Sequence, residues 1–166
     1  MGFGSRWLKW IKSSLESASI SILVNGSPTE ELRMSRGVRQ GDPIAPFLFL
    51  LAAEGLNQAC KLAVQNKLVK GVDVGNDKVH IFHLQYADDM VIFGSWDRGN
   101  LSNILQLLKC FYFASGLNVN LKKSSVFGLG TSRSEIERLV TDMGCQVGTL
   151  PLQYLRLPIG VNMSRK

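Results

Sequence analysis

The chain has 166 residues, 45% of them hydrophobic and 19% charged, which is enough apolar material for one domain with a core and excludes a disordered segment. Nineteen lysines and arginines against 13 acids leave a net charge of +6, which favours a polyanionic partner, nucleic acid first among them. Three widely spaced cysteines, Cys60, Cys110 and Cys145, exclude a disulfide framework and a CxxC zinc site and fit a reducing, intracellular compartment, nucleus or cytoplasm.

Trp7, Leu8, Ile11 and Leu15 recur at helical spacing and predict a short amphipathic helix over residues 6–17 with a packing role. Residues 20–24 are apolar and β-branched, Asn25-Gly26-Ser27-Pro28 is turn chemistry, and residues 31–38 alternate weakly, so a hairpin is expected. A helix that is apolar almost all round follows. It starts at Pro46, or at Pro43 with Asp42 as cap, and must be buried, with residues 47–51 in the core. The longest nearly unbroken apolar run, residues 43–53, falls short of the roughly 20 residues that span a membrane. No signal-peptide pattern opens the chain, and Arg6 stands where a myristoylation motif wants Ser or Thr, so no membrane partner and no targeting signal are expected.

Residues 71–75 read as a turn, and residues 79–93 as two strands flanking the polar step Ala87-Asp88-Asp89. Leu101, Ile104, Leu105, Leu107 and Leu108 carry a helical period to about Phe113, stopped by Ser115-Gly116. Short strands are expected at 118–121 and 126–129, a helix at 135–143, and an extended tail through Leu157-Pro158-Ile159-Gly160. Interspersed helices and strands give an α+β layer architecture.

The sharpest chemical feature is Tyr86-Ala87-Asp88-Asp89 at the tip of an apolar hairpin. Adjacent carboxylates repel unless cations neutralise them, and hard oxygen ligands of this kind suit Mg²⁺ and phosphoryl transfer. A solvated Asp-Asp turn is the bland alternative. His80 and His83 are three apart on a strand, hence on opposite faces, which argues against a shared metal site. Trp7, Trp10 and Trp96 could stack bases, although helix packing explains the first two at least as well.

Four segments in order resemble the reverse transcriptases of non-LTR (LINE-type) retrotransposons, with a plant-like flavour. Arg36-Gly37-Val38-Arg39-Gln40-Gly41-Asp42-Pro43-Ile44-Ala45-Pro46-Phe47-Leu48-Phe49 is similar to the family's motif B, and Leu84-Gln85-Tyr86-Ala87-Asp88-Asp89 to motif C. Ser115-Gly116-Leu117-Asn118-Val119-Asn120-Leu121-Lys122-Lys123-Ser124 is similar to motif D, and Tyr154-Leu155-Arg156-Leu157-Pro158-Ile159-Gly160 to the stretch beyond it. The resemblance implies a partial polymerase palm over residues 1–166, with fingers and thumb largely missing. It implies Asp88 and Asp89 as catalytic metal ligands of a two-Mg²⁺ site, with Asp88 the stronger. Gln40, Gly41 and Tyr86 would lie at the nucleotide and template, and Arg36 and Arg39 at phosphates unless they are merely solvated. Lys123 would neutralise or protonate the departing pyrophosphate, Lys122 being the weaker candidate. RNA template, DNA primer and dNTP are the implied partners. Arg156 departs from the family, which usually has glycine there, and puts a backbone turn or primer contact in doubt.

The family's motif A supplies a further metal-binding aspartate from a strand upstream of the segment that residues 1–11 resemble, so the chain is expected to begin after it and to be inactive alone. Asp42, Asp73 and Asp77 do not sit in a motif A context. A non-catalytic nucleic-acid-binding remnant and an unrelated α+β domain are the alternatives.

Overall fold

The helical spacing at the N-terminus forms α1, Ser5–Glu16. The fold described here is a computed structural model that covers residues 2–34, 37–38, 41–141 and 143–160. α1 contributes no fully buried residue. Phe3 stacks on Trp7 at 4.2 Å and the Arg6 guanidinium lies 4.8 Å over the Trp10 ring. The apolar stripe of α1 makes these local aromatic and cation–π contacts but does not enter the core, and Leu8 and Trp10 stay more than half exposed.

Next come four short strands: β1 Ser19–Ile20, β2 Leu23–Val24, β3 Ser27–Pro28 and β4 Leu32–Arg33. β2 pairs with β3 and β1 with β4, both antiparallel, in one nested hairpin. Asn25 and Gly26, at φ 51° and 81°, make its turn. Two positive φ values in a two-residue loop match the twist of the flanking strands, which is why Asn-Gly serves there. Ser27 and Pro28, expected in the turn, belong to the returning strand because the tight loop needs only two residues.

α2 spans Ala45–Gln65. The Ile44 N–H donates to the Asp42 carboxylate at 2.9 Å and the Ala45 N–H to the Asp42 carbonyl at 3.0 Å, an Asx turn that leads into the helix. Pro46 falls in the first helical turn, where its missing N–H leaves no bond unmade. At 21 residues and a mean hydropathy of 1.3, α2 is long and apolar enough to cross a membrane by length and composition, which corrects the expectation drawn from the unbroken run alone. Here its later turns are a core helix. Leu56, Cys60 and Ala63 are buried with Val69, Phe82 and Ile104, and Met90, Ile92, Leu107 and Phe111 pack against them. Burying a side chain such as Leu56 contributes on the order of 2 kcal/mol. Desolvation pushes the Cys60 thiol up to about 11. The first turns differ: Phe47 is 65% and Leu50 62% exposed. Residues 47–51 are therefore not the core that was expected, because the elements forming the core meet α2 from Leu56 onward.

β5 Val72–Val74 and β6 Val79–Ile81 form a hairpin, and β7 His83–Tyr86 with β8 Asp89–Ile92 forms the next. Of residues 71–75, expected as a turn, Val72–Val74 supply β5, and Gly75, at φ 76°, opens the turn that follows. A Cβ on Gly71 would run into the Ile81 carbonyl, so this glycine serves close strand approach and not chain reversal. α3, Arg98–Ser115, is capped by Asp97, which accepts from the Asn100 N–H, and ends at Gly116 with φ 75°. The strand expected at residues 118–121 does not form, and a 3₁₀ turn, Leu121–Lys123, begins at its last residue. Asn120 causes this: its side chain and carbonyl both accept from the Lys123 N–H, at 3.3 and 3.0 Å, and that local bonding competes with a ladder.

β9 Ser125–Val126 pairs in parallel with β10 Gln146–Val147 around α4, Arg133–Thr141, whose Ile136 and Val140 are buried. β11 Leu152–Tyr154 and β12 Leu157–Ile159 close the described residues as a hairpin. Among the described residues the strands pair only in twos, six small sheets beside four helices. The α+β expectation holds at the level of class, a mixed α/β chain.

Candidate active site at a hairpin tip

Side-chain alternation places the acids. Met90 and Ile92 point into the core, so Asp89, one residue before Met90, must face the other side of the strand. Its register partner is Tyr86, likewise exposed, whereas Gln85 opposite Met90 and His83 opposite Ile92 are half-buried. Tyr86 and Asp89 therefore stand across from each other on the open face, at the spacing where cross-strand side chains meet. Ala87 and Asp88 form the two-residue turn between them, and Asp88 is exposed. Ala87 holds φ 50°, a left-handed conformation that costs a non-glycine residue about 1–2 kcal/mol. The Gln85 side-chain amide donates to its carbonyl at 3.4 Å, a long bond that steadies the turn.

The histidines separate as their spacing implies. His80 pairs with its register partner Asp73 at 2.8 Å, in the open. His83 sits edge-on to Phe82, and burial, aided by the nearby Lys61 charge, lowers its pKa below the usual value.

Gly41 is exposed at φ 85°, beside the Asp42 turn that starts α2. Arg36, Arg39 and Gln40 lie outside the described residues. Lys123 ends the 3₁₀ turn with its side chain exposed, and the Lys122 carbonyl accepts from Gln146 at 3.1 Å, tying this turn to β10. The fold thus brings Tyr86, Asp88 and Asp89 together on one tip, while Gly41 and Lys123 stand on other elements. Leu155 and Arg156, at φ 51° and 66°, form the β11–β12 turn, so the backbone turn survives with arginine in place of glycine.

Spacing gave no sign of Asn100, a buried polar residue that pins α3 to the chain leaving α2. Its signal is weak: an asparagine three positions after a capping aspartate, on an otherwise apolar helix face.

Comparison with known proteins decides what the tip belongs to. Residues 1–159 match the family described as reverse transcriptase (RNA-dependent DNA polymerase). The chain belongs to the reverse transcriptase family. It is 42% identical over 67 residues to an uncharacterised mitochondrial protein of Arabidopsis thaliana, covering 40% of this chain and 55% of that one. It is 31% identical over 133 residues, 80% of its length and 18% of the relative's, to the retrovirus-related Pol polyprotein from the type-1 retrotransposable element R2 of Popillia japonica. It is 28% identical over 123 residues, 74% of its length and 11% of the relative's, to the retrovirus-related Pol polyprotein from the type-2 retrotransposable element R2DM of Drosophila melanogaster. The chain thus spans about half of the plant relative and less than a fifth of the retrotransposon polyproteins. The likeness to retrotransposon reverse transcriptases read from the motifs is borne out.

Two adjacent exposed carboxylates offer hard oxygen ligands of the kind this polymerase family uses for Mg²⁺. Among the described residues, however, no group of three or more His, Cys, Asp or Glu side chains is placed to hold a metal ion. The reverse transcriptase residues described here fit part of a Mg²⁺ site and do not complete one.

Proposed function

We propose that residues 1–166 form part of a reverse transcriptase palm and that the β7–β8 tip contributes Asp88 and Asp89 to an Mg²⁺-dependent nucleotidyl-transfer site. The observation that carries this reading is the outward Tyr86–Asp89 pair with Asp88 in the turn between them, anchored from behind by Met90 and Ile92. When bound, Mg²⁺ would polarise the reacting phosphate and lower the pKa of the attacking hydroxyl. This chain's residues do the rest. Asp88 and Asp89 concentrate negative charge at one point, and Tyr86 offers a ring, 64% exposed, to a base or sugar. Gly41 leaves open space for a close approach of template and incoming nucleotide, since among the described residues no atom beyond its chain neighbours stands within 4 Å of where its Cβ would be. Lys123 supplies an exposed cation for pyrophosphate, and Arg36, Arg39 and Gln40 complete the contacts to RNA template, DNA primer and dNTP.

The test is labelled-nucleotide incorporation on a primed RNA template, with Asp88→Ala as control. This chain by itself is expected to show none above the control, because two carboxylates are too few for a two-metal site. A longer chain that adds a strand bearing another aspartate should give incorporation that depends on Asp88. Incorporation indifferent to Asp88→Ala would contradict the polymerase reading. No incorporation by the longer chain would favour a nucleic-acid-binding remnant, which the net charge of +6 accommodates.

A further inference from the structure

At the far end of β8 from the acid tip, a cleft of about 600 Å³ opens between the start of α3 and the outer face of α4. Its walls are Trp96, Arg98, Glu135, Arg138, Leu139 and Thr141. We propose that this cleft binds a single strand of nucleic acid, one base stacked on Trp96 and the adjoining phosphates held by Arg98 and Arg138. The proposal goes beyond the hairpin-tip reading, since it needs neither Asp88 nor a metal.

The volume lies within the range of clefts that hold a nucleotide-sized ligand. Trp96 stands in the loop after β8 and is left 38% exposed, a large apolar ring held at the rim and not in the core. Every base has a π-face, so an indole beside cations recognises a strand without reading its sequence. Arg98 is the first residue of α3, where the helix dipole adds positive potential, and the neighbouring Asp97 carboxylate is turned to the Asn100 N–H at 2.9 Å.

Among the described residues two arginines and one acid line the cleft. The acid, Glu135, accepts from the Ser132 hydroxyl at 3.1 Å at the start of α4. Arg133 is paired with Glu137 at 2.9 Å, whereas neither Arg98 nor Arg138 has an ion pair among the described residues. Thr141 donates back to the Glu137 carbonyl at 2.6 Å, so its hydroxyl is satisfied within α4. Two guanidinium groups around an indole are donors that match phosphate oxygens and stack on bases.

The experiment uses the whole chain with Trp7→Phe and Trp10→Phe, so that Trp96 is the sole tryptophan and is excited selectively over the tyrosines, and a mixed-sequence RNA of about 12 nucleotides, within the usual site sizes for single strands. Saturating RNA should quench Trp96. Arg98→Gln with Arg138→Gln should weaken binding about tenfold and flatten the dependence of log affinity on log salt by about 1.4, the loss of two phosphate contacts on a single strand. Trp96→Leu, which keeps apolar bulk, should weaken binding about tenfold as well, with the circular dichroism melt checking that the fold persists. Lys9→Gln with Lys12→Gln is the charge-matched control on α1. An unmoved Trp96 signal at saturation, or arginine variants no weaker than that control, overturns the cleft and leaves the hairpin-tip reading standing. Failure of the parent chain to bind RNA at any salt overturns the cleft as well.

Discussion

The Asn100 side chain pairs with both backbone groups of Lys70. It accepts from the Lys70 N–H at 2.8 Å and donates to the Lys70 carbonyl at 3.0 Å, as a strand neighbour would. The same amide reaches the Ser95 carbonyl at 3.1 Å, so one buried residue joins the exit of α2, the end of the β7–β8 hairpin and the start of α3. Gly94 gives it room: a Cβ there would stand 2.9 Å from the amide nitrogen.

Asn100→Ala therefore removes the part-buried partner of the Lys70 N–H and should cost about 2 kcal/mol in urea unfolding. Asn103 makes one exposed bond, to the Leu68 carbonyl at 2.6 Å. Asn103→Ala should cost under about 1 kcal/mol. Equal losses in the two variants would show that Asn100 is not the clamp.

Arg156 bears φ 66° in a turn where glycine would be at ease. Arg156→Gly relieves a left-handed penalty of about 1–2 kcal/mol but adds freedom to the unfolded chain, so a net gain of roughly 0.5–1 kcal/mol is expected. Denaturant midpoints of the two proteins measure it, and a lower midpoint for the glycine variant would contradict the strain.

His83 sets a pH dependence. Its folded pKa is lowered, by burial first and the Lys61 charge second, so the unfolded chain binds more protons just below the ordinary value of 6.5. Stability should be complete above that pH and fall as the pH drops from 6.5 through the depressed folded pKa. His83→Gln should flatten that limb of a stability-against-pH curve recorded by chemical denaturation. An unchanged slope would place the effect on other groups.

Much of this was legible because it rests on periodicity. The four helices and the Tyr86–Asp89 hairpin follow from apolar spacing of 3.6 and 2, and the motif order around Asp88 carried the family. What escaped depends on particular neighbours. Asn120 bonds to the Lys123 N–H and starts a 3₁₀ turn at Leu121, which competes with the strand expected at 118–121. Gly71 reads as a turn former until the Ile81 carbonyl is seen beside it. Phe47 and Leu50 look like core because composition cannot say which turns of α2 its neighbours reach. Asn100 was invisible for a similar reason, its partner being thirty residues away.

If the acid tip is part of a metal site, Asp88 must take part in binding the ion. Calorimetric titration of the chain with Mg²⁺, beside its Asp88→Asn variant, tests this most directly. Weak but measurable binding by the parent chain, abolished by Asp88→Asn, is the predicted result, since two carboxylates give a reluctantly dehydrating ion few ligands. Binding that is indifferent to Asp88→Asn would show that the tip is only a solvated turn.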